Sequence, residues 1–108
     1  MAHYMVQFSY AKEAVAAFTR KPEDRSAPVK ALVEKVGGRM DAFYYCFGDY
    51  DGLAIVEAPD NVSTLAAVMA AVAPGHLSKI KTTVLLTTEE SVEAMKKAAQ
   101  VTLPAPGR

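Results

Sequence analysis

The stretch Gly48-Asp49-Tyr50-Asp51-Gly52 lies near the middle of the chain, between an aromatic run, Arg39 to Phe47, and an apolar run that continues to Ala58. Glycines flanking aspartates are turn chemistry. A link this short leaves no room for a crossover helix, so the two runs are antiparallel neighbours in one sheet. Everything before and after this hairpin must be arranged around it.

Upstream, His3 to Tyr10 has the period of a strand, with Tyr4, Val6, Phe8 and Tyr10 on one face and Met5, Gln7 and Ser9 on the other. Ala11 to Arg20 switches to helical spacing through Ala14, Val15 and Phe18, and Lys21-Pro22-Glu23-Asp24 interrupts it. Helix resumes near Pro28, a residue suited to a first turn, continues through Leu32, Val33 and Val36, and stops at Gly37-Gly38. The hairpin follows, with strands over Arg39 to Phe47 and Asp51 to Ala58. Pro59 ends the latter, and Asp60 is placed to cap a helix whose apolar side is Leu65, Val68, Met69 and Val72. Ala73-Pro74-Gly75 stops that helix. Leu77 to Leu86 alternates as a fourth strand, and Thr87-Thr88-Glu89-Glu90 matches a capping box opening a last helix that carries Val92, Met95 and Ala99. Residues 1–100 therefore form a single domain, and 101–108, with two prolines and a glycine, form a tail.

The order strand, helix, strand, strand, helix, strand is the split βαβ pattern of ferredoxin-like α+β domains. Right-handed crossovers make the first two strands parallel with the third between them, and put the fourth on the other side of the first. The expected sheet is antiparallel, in the order 4-1-3-2, with helices on one face and an extra helix at the C-terminus. Its second face carries Met5, one of the aromatic sets of the second strand, Leu53, Ile55 and Leu85. A second copy of the same sheet is the simplest cover, giving a two-fold dimer or a higher homo-oligomer.

With 12 basic and 12 acidic residues among 108, the chain has no net charge to draw it to nucleic acid or to an anionic membrane. The longest apolar run, Leu65 to Ala73, is too short to span a bilayer, and the first residues lack the basic and apolar regions of a signal peptide. The single cysteine, Cys46, excludes an internal disulfide and suits a reducing compartment, so the expected location is the cytoplasm.

Several short motifs together resemble the GYD-domain proteins: Gly48-Asp49-Tyr50-Asp51 before an apolar strand, Glu57-Ala58-Pro59-Asp60, Gln7-Phe8-Ser9-Tyr10, Gly37-Gly38 and Lys81-Thr82-Thr83. The likeness covers roughly residues 2 to 98. It implies the dimeric α+β barrel class and no particular activity, since related barrels include cofactor-independent monooxygenases, isomerases, haem-associated enzymes and ligand-sensing domains.

Topology alone brings chemistry together. The first two strands end at Tyr10 and Phe47, and the next two begin near Asp51 and Leu77, all at one end of the 4-1-3-2 sheet. Tyr10, Cys46, Asp49, Tyr50, Asp51 and His76 are thus expected to converge, and His76, Tyr50, Asp51, Tyr10 and Cys46 are the candidate catalytic residues. Gln7, Phe8, Tyr45, Phe47 and Lys81 are candidate ligand contacts. Each has a plainer alternative. His76 follows a Pro-Gly stop and is either a surface residue or a base titrating near neutrality. The tyrosines serve packing as readily as acid–base work. Asp49 suits a left-handed turn position, and Asp51 suits bonding to turn amides. Cys46, among aromatics and without a flanking cation, reads as a buried inert thiol; a Cys46–His76 nucleophilic pair is the alternative, without a third group to orient the histidine.

No metal site is expected, because His3 and His76 fall at opposite ends of the sheet and Asp49 with Asp51 supplies too few ligands. No cofactor is expected either. The chain thus reads as a binder of a small aromatic or apolar molecule, with cofactor-free proton transfer or oxygenation as the chemistry open to it if it is an enzyme. The alternative is a non-catalytic oligomerisation or sensing module.

Overall fold

A computed structural model describes residues 1–107. The elements follow in the order β1 (Ala2–Tyr10), α1 (Lys12–Arg20), α2 (Ser26–Lys35), β2 (Arg39–Tyr45), β3 (Gly52–Ala58), α3 (Asn61–Val72), β4 (Leu77–Leu85) and α4 (Thr88–Ala98). The four strands make one sheet in the order β2-β3-β1-β4, with every neighbouring pair antiparallel. This is the ferredoxin-like α+β arrangement that the hairpin and the crossover rule dictate. The expected tail begins at Val101, and its last residue, Arg108, lies outside the described residues.

Local chemistry fixes the element ends. Asp60 caps α3, its side chain accepting from the Ser63 N–H at 2.8 Å. Thr87 and Glu90 form the reciprocal capping box of α4. Gly37, at φ 87°, terminates α2. The hairpin closes earlier than alternation predicts: β2 ends at Tyr45, because the Cys46 N–H donates to the Asp51 carbonyl at 2.9 Å while the Asp51 N–H turns away to the Phe8 carbonyl at 2.8 Å. Residues 46–51 are therefore a loop tied to β1.

The core lies between the sheet and α2 and α3. Tyr4, Val33, Ala54, Val56 and Ala58 form its buried cluster. Tyr4 is only 2% exposed, and its hydroxyl is satisfied by Asn61 Oδ1 at 2.6 Å. The inward face of α3 differs from the periodicity-based expectation. Thr64 is buried and Ala67, Val68 and Ala71 face the sheet, whereas Leu65, Met69 and Val72 are exposed. A helix apolar all round gives periodicity no means of choosing a face; here the smaller side chains turn inward.

Among the described residues, no helix covers the opposite sheet face. By register, Met5, Leu53, Ile55, Leu85 and Tyr44 share it with an ion-pair row in which His3 and Arg39 flank Glu57 on adjacent strands. No helix among the described residues is long and apolar enough to cross a membrane.

Candidate functional site

The end of the sheet where β1 finishes gathers the predicted residues through backbone hydrogen bonds. Ala11 N–H donates to the His76 carbonyl at 2.7 Å, and Tyr10 N–H donates to Asp51 Oδ2 at 2.8 Å. Ser9 Oγ donates to the Asp49 carbonyl at 3.3 Å, and Cys46 Sγ to the Tyr50 carbonyl at 3.2 Å. The sheet itself, however, divides these residues into two groups.

One group faces the helices. Tyr10, Phe8 and His76 line a cavity of about 200 Å³ enclosed by α2, α3 and the covered face of the sheet. Small side chains create it: Ala54 and Ala58 on β3 and Ala67, Ala70 and Ala71 on α3 stop short of filling the gap between layers. At its mouth the Tyr10 ring packs edge-on against Phe8 and Phe18, with centroids 5.4 Å and 4.9 Å away. The hydroxyls of Tyr10 and Tyr45 lie 3.3 Å apart. Burial, then the hydrogen bond and charge of Tyr45, push the Tyr10 phenol above its ordinary range, so at neutral pH it is a protonated donor. His76 is exposed at the rim.

The other group lies on or beside the uncovered face. The 48–51 loop folds over Ser9, and the Lys79 ammonium sits 4.6 Å from the centre of the Tyr50 ring. Gln7 and Lys81 pair across β1 and β4 on this face. Phe47 is fully exposed. None of Tyr50, Asp51, Cys46, Gln7, Phe47 or Lys81 lines the cavity, and neither does Tyr45, although it shares the covered side of the sheet with Tyr10 and Phe8.

Two expectations about the loop change. Cys46 is exposed rather than buried, because it lies in the loop beyond the last pair of an edge strand. Asp49 has no left-handed backbone; Gly48, at φ 105°, takes that conformation instead.

Two features escape linear reading. Arg25, in the α1–α2 link, lines the cavity mouth; only its folded position beside Tyr10 marks it. On the uncovered face, His3, Asp41 and Glu57 place potential ligand atoms within 4.8 Å of one another. Arg39 bonds both carboxylates and holds the cationic place among them, so the cluster is an ion-pair network as it stands.

The family model described as GYD domain matches residues 4–95. No curated protein matches. Among solved structures, MtbAldR aligns over 80% of this chain and 52% of its own length, at 14% identity and a TM-score of 0.54. This chain thus spans about half of MtbAldR, and the likeness is one of fold. TTHA0845 from Thermus thermophilus aligns over 81% of this chain and 95% of its own, at 18% identity and a TM-score of 0.49. FFRP-DM1 aligns over 80% and 100%, at 13% and 0.49.

Proposed function

The chain belongs to the GYD-domain family, and we propose that it is a small-molecule-binding protein whose ligand occupies the cavity between α2, α3 and the sheet. One observation carries this reading: a cavity of about 200 Å³ with largely apolar walls, lined at one end by Tyr10, His76 and Arg25 and elsewhere by a single other polar side chain, Thr64, whose hydroxyl is already bonded to the Asp60 carbonyl. Ligand sites have this composition, an apolar enclosure with a small number of orienting groups.

A catalytic use of the same cavity would fall to His76 as base, with Tyr10 as a neutral hydrogen-bond donor. Tyr50, Asp51 and Cys46 would act only from outside it. Asp51 is committed to the Tyr10 backbone N–H, which favours a structural role for its carboxylate. The candidates drawn from the turn therefore support the wall of the site, and binding is the function proposed. The uncovered sheet face suits a second copy of the chain, so the unit proposed is a homodimer with one cavity in each protomer.

Octan-1-ol, neutral and apolar, tests the cavity directly. Binding only to the folded state raises the thermal midpoint, by roughly 5–10 °C when the free probe stands tenfold above its Kd. Ala71→Phe, which fills the space from α3, should abolish that rise. Should Ala71→Phe fail to fold, Val68→Phe fills the same space from the adjoining turn. A wild-type midpoint indifferent to octan-1-ol, or a shift that persists in the filled variant, overturns the proposal.

A further inference from the structure

The cavity is electrostatically one-sided. Among the described residues no aspartate or glutamate lines it, while two basic side chains, Arg25 and His76, do. The other polar groups at its lining are the Tyr10 phenol and Thr64. Thr64 is already satisfied, its hydroxyl donating to the Asp60 carbonyl at 3.0 Å at the far end of the cavity. Tyr10, Arg25 and His76 sit instead around the start of α2, the end of β1 and the start of β4, so the polar groups occupy one end and the apolar walls run away from it along α2 and α3.

Arg25 is poised there for use. Its side chain is about one-third exposed, at 32%, and its Cζ lies 6.0 Å from the centre of the Phe18 ring, which in turn packs against Tyr10. Its present partner is Glu23, at 3.3 Å across an exposed pair. Such a pair contributes little, so a ligand can take over the guanidinium at small cost. The Tyr10–Tyr45 pair adds a second donor. Whichever hydroxyl donates to the other, one phenolic proton is left for a third acceptor.

A planar guanidinium beside a neutral phenol matches the two oxygens of a carboxylate. The cavity, at about 200 Å³, has room for on the order of a dozen non-hydrogen atoms, the size of octanoate. We propose that the ligand is an amphipathic carboxylate, its acid group held at the mouth by Arg25 with Tyr10 and its apolar body lying between α2, α3 and the sheet. This rests on the binding role proposed above and adds the charge and shape of what is bound.

Isothermal titration of octanoate against octan-1-ol separates the two ideas, because the probes share a body and differ at the head. Octanoate should bind wild-type protein about ten- to a hundredfold more tightly, the range expected for a hydrogen bond to a charged group. Arg25→Gln should erase that preference, its loss of affinity falling on octanoate far more than on octan-1-ol; Arg25 is at the rim and outside the buried core, so the variant should fold. Equal affinities for the two probes overturn the carboxylate inference and leave the cavity reading standing. A preference undiminished in Arg25→Gln overturns the role of Arg25. Binding of neither probe overturns both proposals.

Discussion

Tyr10 shows how one residue is set by its neighbours. Phe8 and Phe18 clamp its ring, Tyr45 meets its hydroxyl, and Asp51 fixes its backbone N–H. Burial of the phenol and its bond to Tyr45 raise its pKa above the ordinary value of 10.0. The consequence for stability has a definite sign. The unfolded chain releases this proton near pH 10, whereas the folded chain holds it to higher pH. The stabilisation is therefore complete below the unfolded pKa and is lost as pH rises above it toward the folded value. Thermal midpoints measured from pH 8 to 12 should fall across the upper part of that range. In Tyr10→Phe the same fall should be shallower, because the phenol whose ionisation drives it is gone; an identical slope in the two proteins would show that other groups govern alkaline unfolding.

At the scale of elements, the hairpin carries two glycines with different duties. Gly52 begins β3 directly against Phe8, and an added Cβ would stand 2.6 Å from the Phe8 ring and 3.0 Å from the Tyr44 carbonyl. Gly48 has open space around it and a left-handed backbone at φ 105°. Gly52→Ala should cost about 1–3 kcal/mol through overpacking, and Gly48→Ala about 1–2 kcal/mol through backbone strain, both read from urea denaturation midpoints. Only Gly52→Ala displaces the Phe8 ring at the cavity, so it alone should also weaken octan-1-ol binding; equal binding by both variants would count against that distinction. Elements are also the scale at which the sequence is most legible, because what defines them is local. The strand order follows from a short turn and the crossover rule, and the caps at Asp60 and Thr87 follow from residues three positions apart. Which stripe of α3 faces inward is not local, since Leu65, Met69 and Val72 are as apolar as Val68 and the choice falls to the space available under the helix. Convergence of Tyr10, Asp51 and His76 at one sheet end is likewise readable. Their separation by the sheet is not, because it depends on the 48–51 loop folding toward Ser9 and Lys79. Arg25 is invisible for the same reason, being a loop residue whose neighbour Tyr10 is brought to it by packing.

At the scale of the whole molecule, the chain exposes more surface than its mass requires. A compact monomer of 11.6 kDa presents roughly 5,800 Å², whereas this one presents 7842 Å². Its radius of gyration, 17.9 Å, likewise exceeds the roughly 13 Å of a compact chain of this length. Helix α4 contributes, since it has no buried residue and leaves Val92 and Met95 exposed. The uncovered sheet face contributes an apolar patch bounded by the His3–Glu57–Arg39 row on one side and by Lys79 and Lys81 on the other. A standard interface removes about 800 Å² from each partner, less than the excess this protomer carries. In the proposed dimer, face-to-face pairing of two such sheets would leave both cavities on the outside, so the proposed dimerisation and ligand binding would not compete. Sedimentation equilibrium at micromolar concentration should then give twice the protomer mass. Ile55→Asp, placed at the centre of the uncovered face, should return it to the protomer mass with an unchanged far-ultraviolet circular dichroism spectrum. Leu65→Asp, on the outer stripe of α3, should leave the dimer intact. Dissociation by Leu65→Asp and not by Ile55→Asp would move the interface from the sheet to the helices and set α3, the outer wall of the cavity, against the partner instead.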